Sequence, residues 1–284
     1  LHLLSRRQRQ ICIRDRHYRQ LADTLSRRLT EHYFLPPHER SEYSQTALAF
    51  AYRFCDPELL PRERIVEMLV ALCDEGRNFD TGIFGTTPML HILTAEGYGD
   101  IARRLLTKPE YPSYRAMLDL GATTLWEHWP VQGLEGGYEV YDGSMSHPMH
   151  AAFDEWLYTG VAGLAARRSV REPWTFRWND FPGLERASAA RRIPEGRISS
   201  EWRRDGSEIV WEIEVPAGIE AQIVIPACIQ AIREGGRPLA NQAETGRIRI
   251  LPAMPESGRQ PLSVGSGSYK FSFPAPKHEK SQQI

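Results

Sequence analysis

Apolar residues recur every three or four positions through most of the first 166 residues, and this spacing predicts amphipathic α-helices joined by short loops. In the first of these segments, Leu21, Leu25, Leu29 and Tyr33 mark one apolar helix face. The predicted helices cover residues 5–34, 44–54, 61–72, 88–96, 100–106, 111–120 and 147–166. Helix pairs in series form a toroid or a solenoid, and the lack of a repeat of fixed length favours the toroid.

The pattern changes near Val170 to short runs of β-branched and aromatic residues that alternate with polar ones, which predicts β-strands. Turn signals at Asp205-Gly206 and at Pro216-Ala217-Gly218 separate these runs. The predicted strands cover Ile198–Trp202, Glu208–Val215, Ala221–Ile225 and Tyr269–Phe273. They predict a small antiparallel β-sandwich of about a hundred residues.

The two patterns together indicate a multi-domain chain, α first and then β. We expect a helical domain over residues 1–168, a β-sandwich domain over residues 169–276, and a flexible tail over residues 277–284. With 41% hydrophobic residues in 284, the chain has enough apolar content for a proper core.

The charge balance argues against partners that need a strong field. The formal net charge is −1, so neither nucleic acid nor an anionic membrane is expected as a partner, and a small or neutral ligand is favoured. Residues 5–34 are rich in arginine, but the acidic residues Asp15, Asp23 and Glu31 recur among them, so a solvated helix face is favoured over a nucleic-acid arm. No apolar run reaches the roughly 18 residues that a membrane helix needs.

The cysteines give no sign of a metal or disulfide framework. Cys12, Cys55, Cys73 and Cys228 are far apart and show no CxxC spacing, so buried thiols are expected, with no metal and no cofactor. The chain begins with Leu1 and has no signal-peptide pattern, which suggests that the true N-terminus lies elsewhere. Its first residues therefore do not distinguish a cytoplasmic from a periplasmic protein.

The candidate chemistry lies between Gly121 and His147. Glu127 stands between Trp126 and Trp129, and His147 follows on the next element. Aromatic faces stack on the C–H faces of a pyranose, and a fixed carboxylate handles protons or water, so this group suits sugar chemistry. The competing interpretation is an amphipathic edge, with both tryptophans in the core and Glu127 in solvent.

A set of motifs spread over most of the chain resembles the bacterial α-L-rhamnosidases, glycoside hydrolase family 78. In the helical part they are Gln45-Thr46-Ala47, Thr81-Gly82-Ile83-Phe84-Gly85-Thr86, Glu110-Tyr111-Pro112-Ser113, Gly121-Ala122-Thr123-Thr124-Leu125-Trp126-Glu127-His128-Trp129, Ser144-Met145-Ser146-His147 and Glu155-Trp156-Leu157-Tyr158. In the β part they are Gly196-Arg197-Ile198-Ser199-Ser200-Glu201-Trp202, Asp205-Gly206 and Val215-Pro216. Their order and spacing are similar to those of the family.

The resemblance implies a partial (α/α)6 six-hairpin toroid followed by a C-terminal β-sandwich, and inverting hydrolysis of terminal α-L-rhamnose from a glycoside or oligosaccharide. By similarity, Glu127 is the general base and His147 contacts the rhamnose, while Trp126 and Trp129 are assigned to an aromatic wall. The loop Thr81–Thr86 is expected to shape a helix junction and not to touch substrate. Lost solvation beside the indoles is expected to raise the pKa of Glu127.

Departures from the family pattern limit what the resemblance implies. The family's acid-bearing segment lies in the first half of the barrel, and nothing here matches it, so the chain is expected to hold only the later helices. The missing N-terminal half of the barrel, or a second copy of the chain, is then expected to cover the open core faces. His128 stands where the family often has arginine, and Pro148 where it often has an aromatic residue, so substrate preference stays open.

Three functional hypotheses follow. The first is an α-L-rhamnosidase, or the part of one that carries the base. The second is a non-catalytic carbohydrate-binding or degenerate fragment that lacks the general acid. The third and least favoured is an α-helical interaction scaffold that uses exposed barrel faces.

Overall fold

The computed structural model describes residues 2–35, 43–74, 76–129, 131–132, 138–139, 143–165, 167, 169, 172–226, 229–241, 248–253 and 259–276. The chain forms two compact units. We refer to residues 1–93 with 105–150 as the helical unit, and to residues 94–104 with 151–284 as the β unit. The predicted tail, residues 277–284, lies outside the described residues.

The described helices match the apolar periodicity closely up to residue 120. They are α1 (His2–Tyr33), α2 (Gln45–Phe54), α3 (Arg62–Asp74), α4 (Thr86–Ala95), α5 (Gly99–Thr107), α6 (Tyr114–Asp119) and α7 (Phe153–Trp156). Ser44 caps α2 as predicted, because its side chain accepts a hydrogen bond from the Ala47 N–H at 3.1 Å. Strands β1 (Val131–Gln132) and β2 (Tyr138–Glu139) form an antiparallel pair after α6.

The interior of the helical unit is built from the predicted stripes of α2 and α3. Leu48, Leu69 and Leu72 are fully buried, and Ile65 and Ala51 are nearly so. The predicted apolar face of α1 differs, since most of its side chains are exposed and Leu29 is half-buried. Its exposed members are Leu21, Leu25 and Tyr33, and Tyr18 on the same helix is exposed as well.

The predicted helix over residues 147–166 is wrong in its extent. The segment is broken into a 3₁₀ turn (Pro148–Ala151), α7 and one turn of π-helix (Leu157–Val161). Gly163 then adopts a φ of +78°, and a Cβ there would lie 2.6 Å from the Arg177 carbonyl oxygen. This close approach allows Leu164–Ala165 to pair with the strand that starts at Trp174, so strand pairing overrides the helical periodicity.

The β unit contains two sheets that share one hydrophobic core, which confirms the predicted sandwich. The longer strands are β4 (Trp174–Arg177), β5 (Arg186–Ile193), β6 (Gly196–Asp205), β7 (Glu208–Val215), β8 (Ala221–Ile225), β12 (Gln260–Val264) and β13 (Gly267–Pro274). The short ones are β3 (Leu164–Ala165), β9 (Arg233–Glu234), β10 (Arg237–Pro238) and β11 (Ile248–Ile250). The six-stranded sheet has the order β10-β9-β13-β7-β6-β5, and the five-stranded sheet the order β11-β12-β8-β4-β3.

Most neighbouring strands are antiparallel, but β4 and β8 run parallel. The core between the sheets is rich in aromatic side chains. Trp178, Trp202, Trp211, Phe176, Phe271 and Phe273 are all fully buried. The predicted turn at Asp205-Gly206 joins β6 to β7, with Gly206 at a φ of +60°.

Cys55 and Cys73 are buried thiols, as predicted. The side chains of Cys12 and Cys228 fall outside what the structure describes. Among the described residues, no helix is both long enough and apolar enough to cross a bilayer.

Candidate active site

The site lies where two segments of the helical unit run side by side. The Glu127 N–H donates to the Ser144 carbonyl oxygen at 2.9 Å, and the His147 N–H donates to the Leu125 carbonyl oxygen at 2.7 Å. The Thr124 hydroxyl also donates to the Met145 carbonyl oxygen. These bonds fix the register of the two segments, so a carboxylate from one and an imidazole from the other meet.

The two oxygens of Glu127 have different surroundings. Oε2 accepts the Ser144 N–H at 3.0 Å and lies 3.9 Å from Nδ1 of His147. Oε1 lies 4.0 Å from Nε2 of His128. The Glu127 side chain is 34% exposed, so the carboxylate is anchored by the backbone and still open to solvent.

The pKa of Glu127 is lowered from the ordinary 4.5, and the prediction that it is raised is wrong. The main cause is the Ser144 N–H, which donates to the charged form. Partial desolvation opposes the shift, and His147 and His128 add smaller lowering contributions. The carboxyl group is therefore ionised near neutrality, which is the state that accepts a proton.

His147 is held by its backbone and by the turn that precedes it. The Ser144 hydroxyl donates to the Ser146 carbonyl oxygen at 3.1 Å, and the Ser146 N–H lies 3.3 Å from that hydroxyl. The imidazole is 23% exposed, and its buried Nε2 has no hydrogen-bond partner among the described residues. Its Nδ1 faces Glu127, so the predicted pairing of these two residues in one site is present in the geometry.

The two tryptophans beside Glu127 have different positions. Trp126 is only 6% exposed and belongs to the interior. Trp129 is half-buried, stacks on Phe79 with ring centroids 5.5 Å apart, and donates its indole N–H to the Thr81 carbonyl oxygen at 2.8 Å. The sugar contacts predicted for both remain predictions, and the exposure favours Trp129.

His150 is a residue of the site that sequence reasoning missed. It is 2% exposed, its Nδ1 lies 2.6 Å from the Trp126 carbonyl oxygen, and its backbone N–H donates to the His147 carbonyl oxygen at 3.0 Å. A carbonyl only accepts, so Nδ1 carries the proton. Burial lowers the pKa of His150, so the ring stays neutral and braces the two segments. The available signal was a second histidine three residues after His147.

The loop before α4 is held by its own hydrogen bonds and contacts Trp129. The Gln45 side chain donates to the Asn78 carbonyl oxygen at 2.9 Å and accepts the Asp80 N–H at 3.0 Å. The buried hydroxyls of Thr81 and Thr86 lie 2.7 Å apart. The motif that contains Gln45 therefore holds the residues just before the Thr81–Thr86 motif, and the Thr81 carbonyl oxygen accepts the indole N–H of Trp129.

Within the described residues, no cluster of three or more His, Cys, Asp or Glu side chains is suited to hold a metal ion. A separate groove of about 1060 Å³ belongs wholly to the β unit and is lined mainly by residues of α7, the π-helical turn and the six-stranded sheet. Its charged side chains include Arg197, paired with Glu214 at 2.6 Å, and Lys270, paired with Glu212 at 3.0 Å. The lining also includes Asp154, Glu201 and Glu234, so acidic side chains outnumber basic ones and the groove is an acidic surface.

Comparison with known families supports the resemblance. Residues 9–161 match the model of the bacterial α-L-rhamnosidase six-hairpin glycosidase domain, and residues 174–237 match the bacterial α-L-rhamnosidase C-terminal domain. An α-L-rhamnosidase from Streptomyces avermitilis is 30% identical over 214 residues, which are 74% of this chain and 19% of that protein. One from Formosa agariphila is 26% identical over 242 residues, which are 81% of this chain and 24% of that protein.

Solved structures give the same picture. The crystal structure of the Streptomyces avermitilis α-L-rhamnosidase complexed with L-rhamnose has a TM-score of 0.67 and 25% identity, over 82% of this chain and 23% of that one. The Aspergillus terreus enzyme has a TM-score of 0.62 and 23% identity, over 82% of this chain and 24% of that one, and shows the shared fold. The chain spans about a fifth of the length of the first curated relative, 19%.

Proposed function

Because this chain belongs to the bacterial α-L-rhamnosidase family, we propose that it is part of a glycoside hydrolase that releases terminal α-L-rhamnose. The substrate is a rhamnose-containing glycoside or oligosaccharide, and the reaction inverts the anomeric carbon. In this proposal Glu127 is the general base.

The observation that carries the proposal is the hydrogen bond from the Ser144 N–H to Glu127 Oε2. It holds the carboxylate in one orientation and lowers its pKa, so the group is ready to take a proton from water at neutral pH. A carboxyl with a lowered pKa is unsuited to be the general acid, because an acid must hold its proton at working pH. The base role is therefore favoured over the acid role.

Inversion requires a second carboxyl group about 6.5–9.5 Å from the base, which protonates the leaving oxygen. No segment of this sequence resembles the family's acid-bearing motif. We propose that the acid comes from another part of the protein. This chain spans only 19% and 24% of the two curated relatives, so most of their length lies outside it.

His147 is the proposed sugar contact. Its imidazole is partly exposed beside the carboxylate and can hydrogen-bond a sugar hydroxyl. Trp129, and to a smaller extent Trp126, form the proposed aromatic wall, where ring faces pack on sugar C–H groups.

The exposed face of α1 (Tyr18, Leu21, Leu25 and Tyr33) is the proposed seam with the remaining hairpins of the glycosidase domain. Phe50 and Phe54 on α2 are also exposed, with their ring centroids 6.2 Å apart. Contiguous exposed apolar side chains of this kind mark an interface. A full-length protein that is monomeric by light scattering supports this, whereas a dimer that Leu25→Asp dissociates assigns the face to a second copy.

The test is hydrolysis of p-nitrophenyl α-L-rhamnoside by the full-length protein, with the anomer of the released rhamnose followed by NMR. Glu127→Gln should lower kcat by about 10²- to 10⁴-fold, the contribution typical of a positioned base. Glu212→Gln, a matched change in the β unit, should leave kcat unchanged. Retained activity in Glu127→Gln, or a product that keeps its configuration, refutes the assignment.

One observation favours the non-catalytic alternative, namely that no segment of this sequence resembles the family's acid-bearing motif. If the full-length protein binds L-rhamnose by calorimetry but releases no p-nitrophenol, the alternative replaces the enzyme proposal.

A further inference from the structure

We propose that His128 is a catalytic residue, which holds the attacking water between its Nε2 and Oε1 of Glu127. This inference rests on the proposed function and identifies which carboxylate oxygen reacts and which second side chain orients the water.

The first step of the argument is the asymmetry of the carboxylate. Oε2 is occupied by the Ser144 N–H at 3.0 Å, with the His147 imidazole next to it. The described hydrogen bonds and ion pairs give Oε1 one polar neighbour, Nε2 of His128 at 4.0 Å. Oε1 is therefore the oxygen whose lone pairs are available to a water molecule.

The second step is the size of the gap. A separation of 4.0 Å is too long for a direct hydrogen bond. Two hydrogen bonds of about 2.8 Å each span that distance when they meet at about 90° on one oxygen atom. The His128 side chain is 59% exposed and that of Glu127 34%, so water has access to the gap.

The third step is what keeps the imidazole in place. Gly143 lies directly against it, and a Cβ at that position would come within 2.7 Å of His128 Cδ2 and 3.7 Å of Glu127 Oε2. Glycine therefore allows the loop to lie against both side chains of the proposed water site. An imidazole in ordinary solvent would have no such restraint on its orientation.

The chemistry assigns each group one task. The water oxygen bonds to the anomeric carbon, and its proton passes to Oε1 of Glu127. The glycosidic C–O bond breaks, and its electron pair stays on the leaving oxygen, which takes a proton from the second carboxylic acid supplied by the rest of the protein. His128 Nε2 accepts the other water hydrogen, so one oxygen lone pair points at the sugar. His128 orients the attacking water and neither gains nor loses a proton in the reaction.

The test compares two amides at position 128 in the full-length protein. Glutamine places its amide near the position of the histidine Nε2, whereas asparagine places it near Nδ1. His128→Asn should lower kcat by about 10- to 100-fold with KM within twofold, since a positioned water, and not the base itself, is lost. His128→Gln should keep kcat within about fivefold of the unsubstituted protein. The side chain is mostly exposed, so both variants should fold, which circular dichroism checks.

Several results overturn the inference. Equal losses in both variants mean that ring volume matters and not the Nε2 position. No loss in either means that His128 does not act. A rise in KM with kcat unchanged makes His128 a sugar contact only.

Failure of the proposed function has a different signature. An unsubstituted protein that does not hydrolyse the rhamnoside, or an active Glu127→Gln, overturns both proposals. An inactive Glu127→Gln together with a fully active His128→Asn overturns only this one.

Discussion

Adjacent tryptophan and glutamate residues occur in both units, but their glutamates have different surroundings. On β6 and β7 the pairs are Glu201-Trp202 and Trp211-Glu212, and the strand register places Trp202 opposite Trp211 and Glu201 opposite Glu212. Both indoles are fully buried, and both carboxylates lie on the other face of the sheet. Buried tryptophans with glutamates on the opposite, solvent-facing side are the arrangement that the competing interpretation predicted for Trp126-Glu127.

Glu212 and Glu127 differ in the groups that surround their carboxylates. Glu212 lies 3.0 Å from Lys270 and 3.4 Å from Arg203, and the Lys270 hydrogen bond is the main cause of its lowered pKa. Glu127 is held by a backbone N–H and faces two imidazoles. The first carboxylate is neutralised by cations, whereas the second keeps one oxygen available. The dipeptide alone therefore does not decide between a structural and a functional glutamate.

The largest expected effect tests the structural side of this comparison. Trp202→Ala should lower the free energy of unfolding by about 3–5 kcal/mol, since it removes a buried indole that donates to the Val161 carbonyl oxygen at 2.8 Å. Glu201→Ala, on the opposite face, should change it by less than about 0.5 kcal/mol. Urea unfolding measures both, and similar losses would contradict the assigned faces.

The next effect tests the functional side. Gly143→Ala brings a Cβ to 2.7 Å from His128 Cδ2, so the imidazole must move. We expect kcat to fall about tenfold, because a small displacement of a positioned group is costly in rate. Stability should change little, since His128 is mostly exposed. Gly265→Ala, which meets nothing within 4 Å, is the control and should keep kcat.

A third prediction concerns pH. The base acts when ionised, so kcat/KM of the full-length protein should fall as the pH drops through the pKa of Glu127. That pKa is lowered by the Ser144 N–H, so the midpoint of the acid limb should lie below 4.5. A pH profile of kcat/KM measures it, and a midpoint above that value would mean that the backbone bond does not stabilise the anion.

The smallest effect belongs to Glu212. Its folded-state pKa is lowered, so its contribution to stability is present above the ordinary 4.5 and is lost as the pH falls through the folded value. The side chains of Glu212 and Lys270 are 44% and 57% exposed, so the contribution should be below about 1 kcal/mol. Glu212→Gln should therefore lower the free energy of unfolding by less than about 1 kcal/mol at pH 7 and should not change it at pH 2. If the two proteins differ in stability as much at pH 2 as at pH 7, the effect of the substitution comes from packing and not from the ion pair.

The sequence predicted those parts of the fold that local patterns encode. Strands β6 and β7 carry alternating positions and β8 a short β-branched run, and all three lie where they were expected. Strand β5 was missed because its residues Arg186–Ile193 are mainly alanine and arginine, which do not favour strands in isolation. The parallel pairing of β4 with β8 joins distant segments, and period-two alternation carries no information on strand direction.

The site was predictable only in part. Motif order pointed to Glu127 and His147, and the structure brings these two together. The backbone bond from Ser144 could not be predicted, because it depends on the register between two segments that no side-chain pattern specifies. The expected pKa shift of Glu127 had the wrong sign for that reason. The orientation of His128 depends on Gly143, which lies fifteen positions further along the chain.

Main-chain atoms make both bonds that join Leu125 to His147 and Glu127 to Ser144. Neighbouring side chains can then be exchanged without loosening the frame that presents the carboxylate. Such a frame tolerates sequence change at the exposed residues Met145 and Ser146, because their side chains make neither of these two bonds.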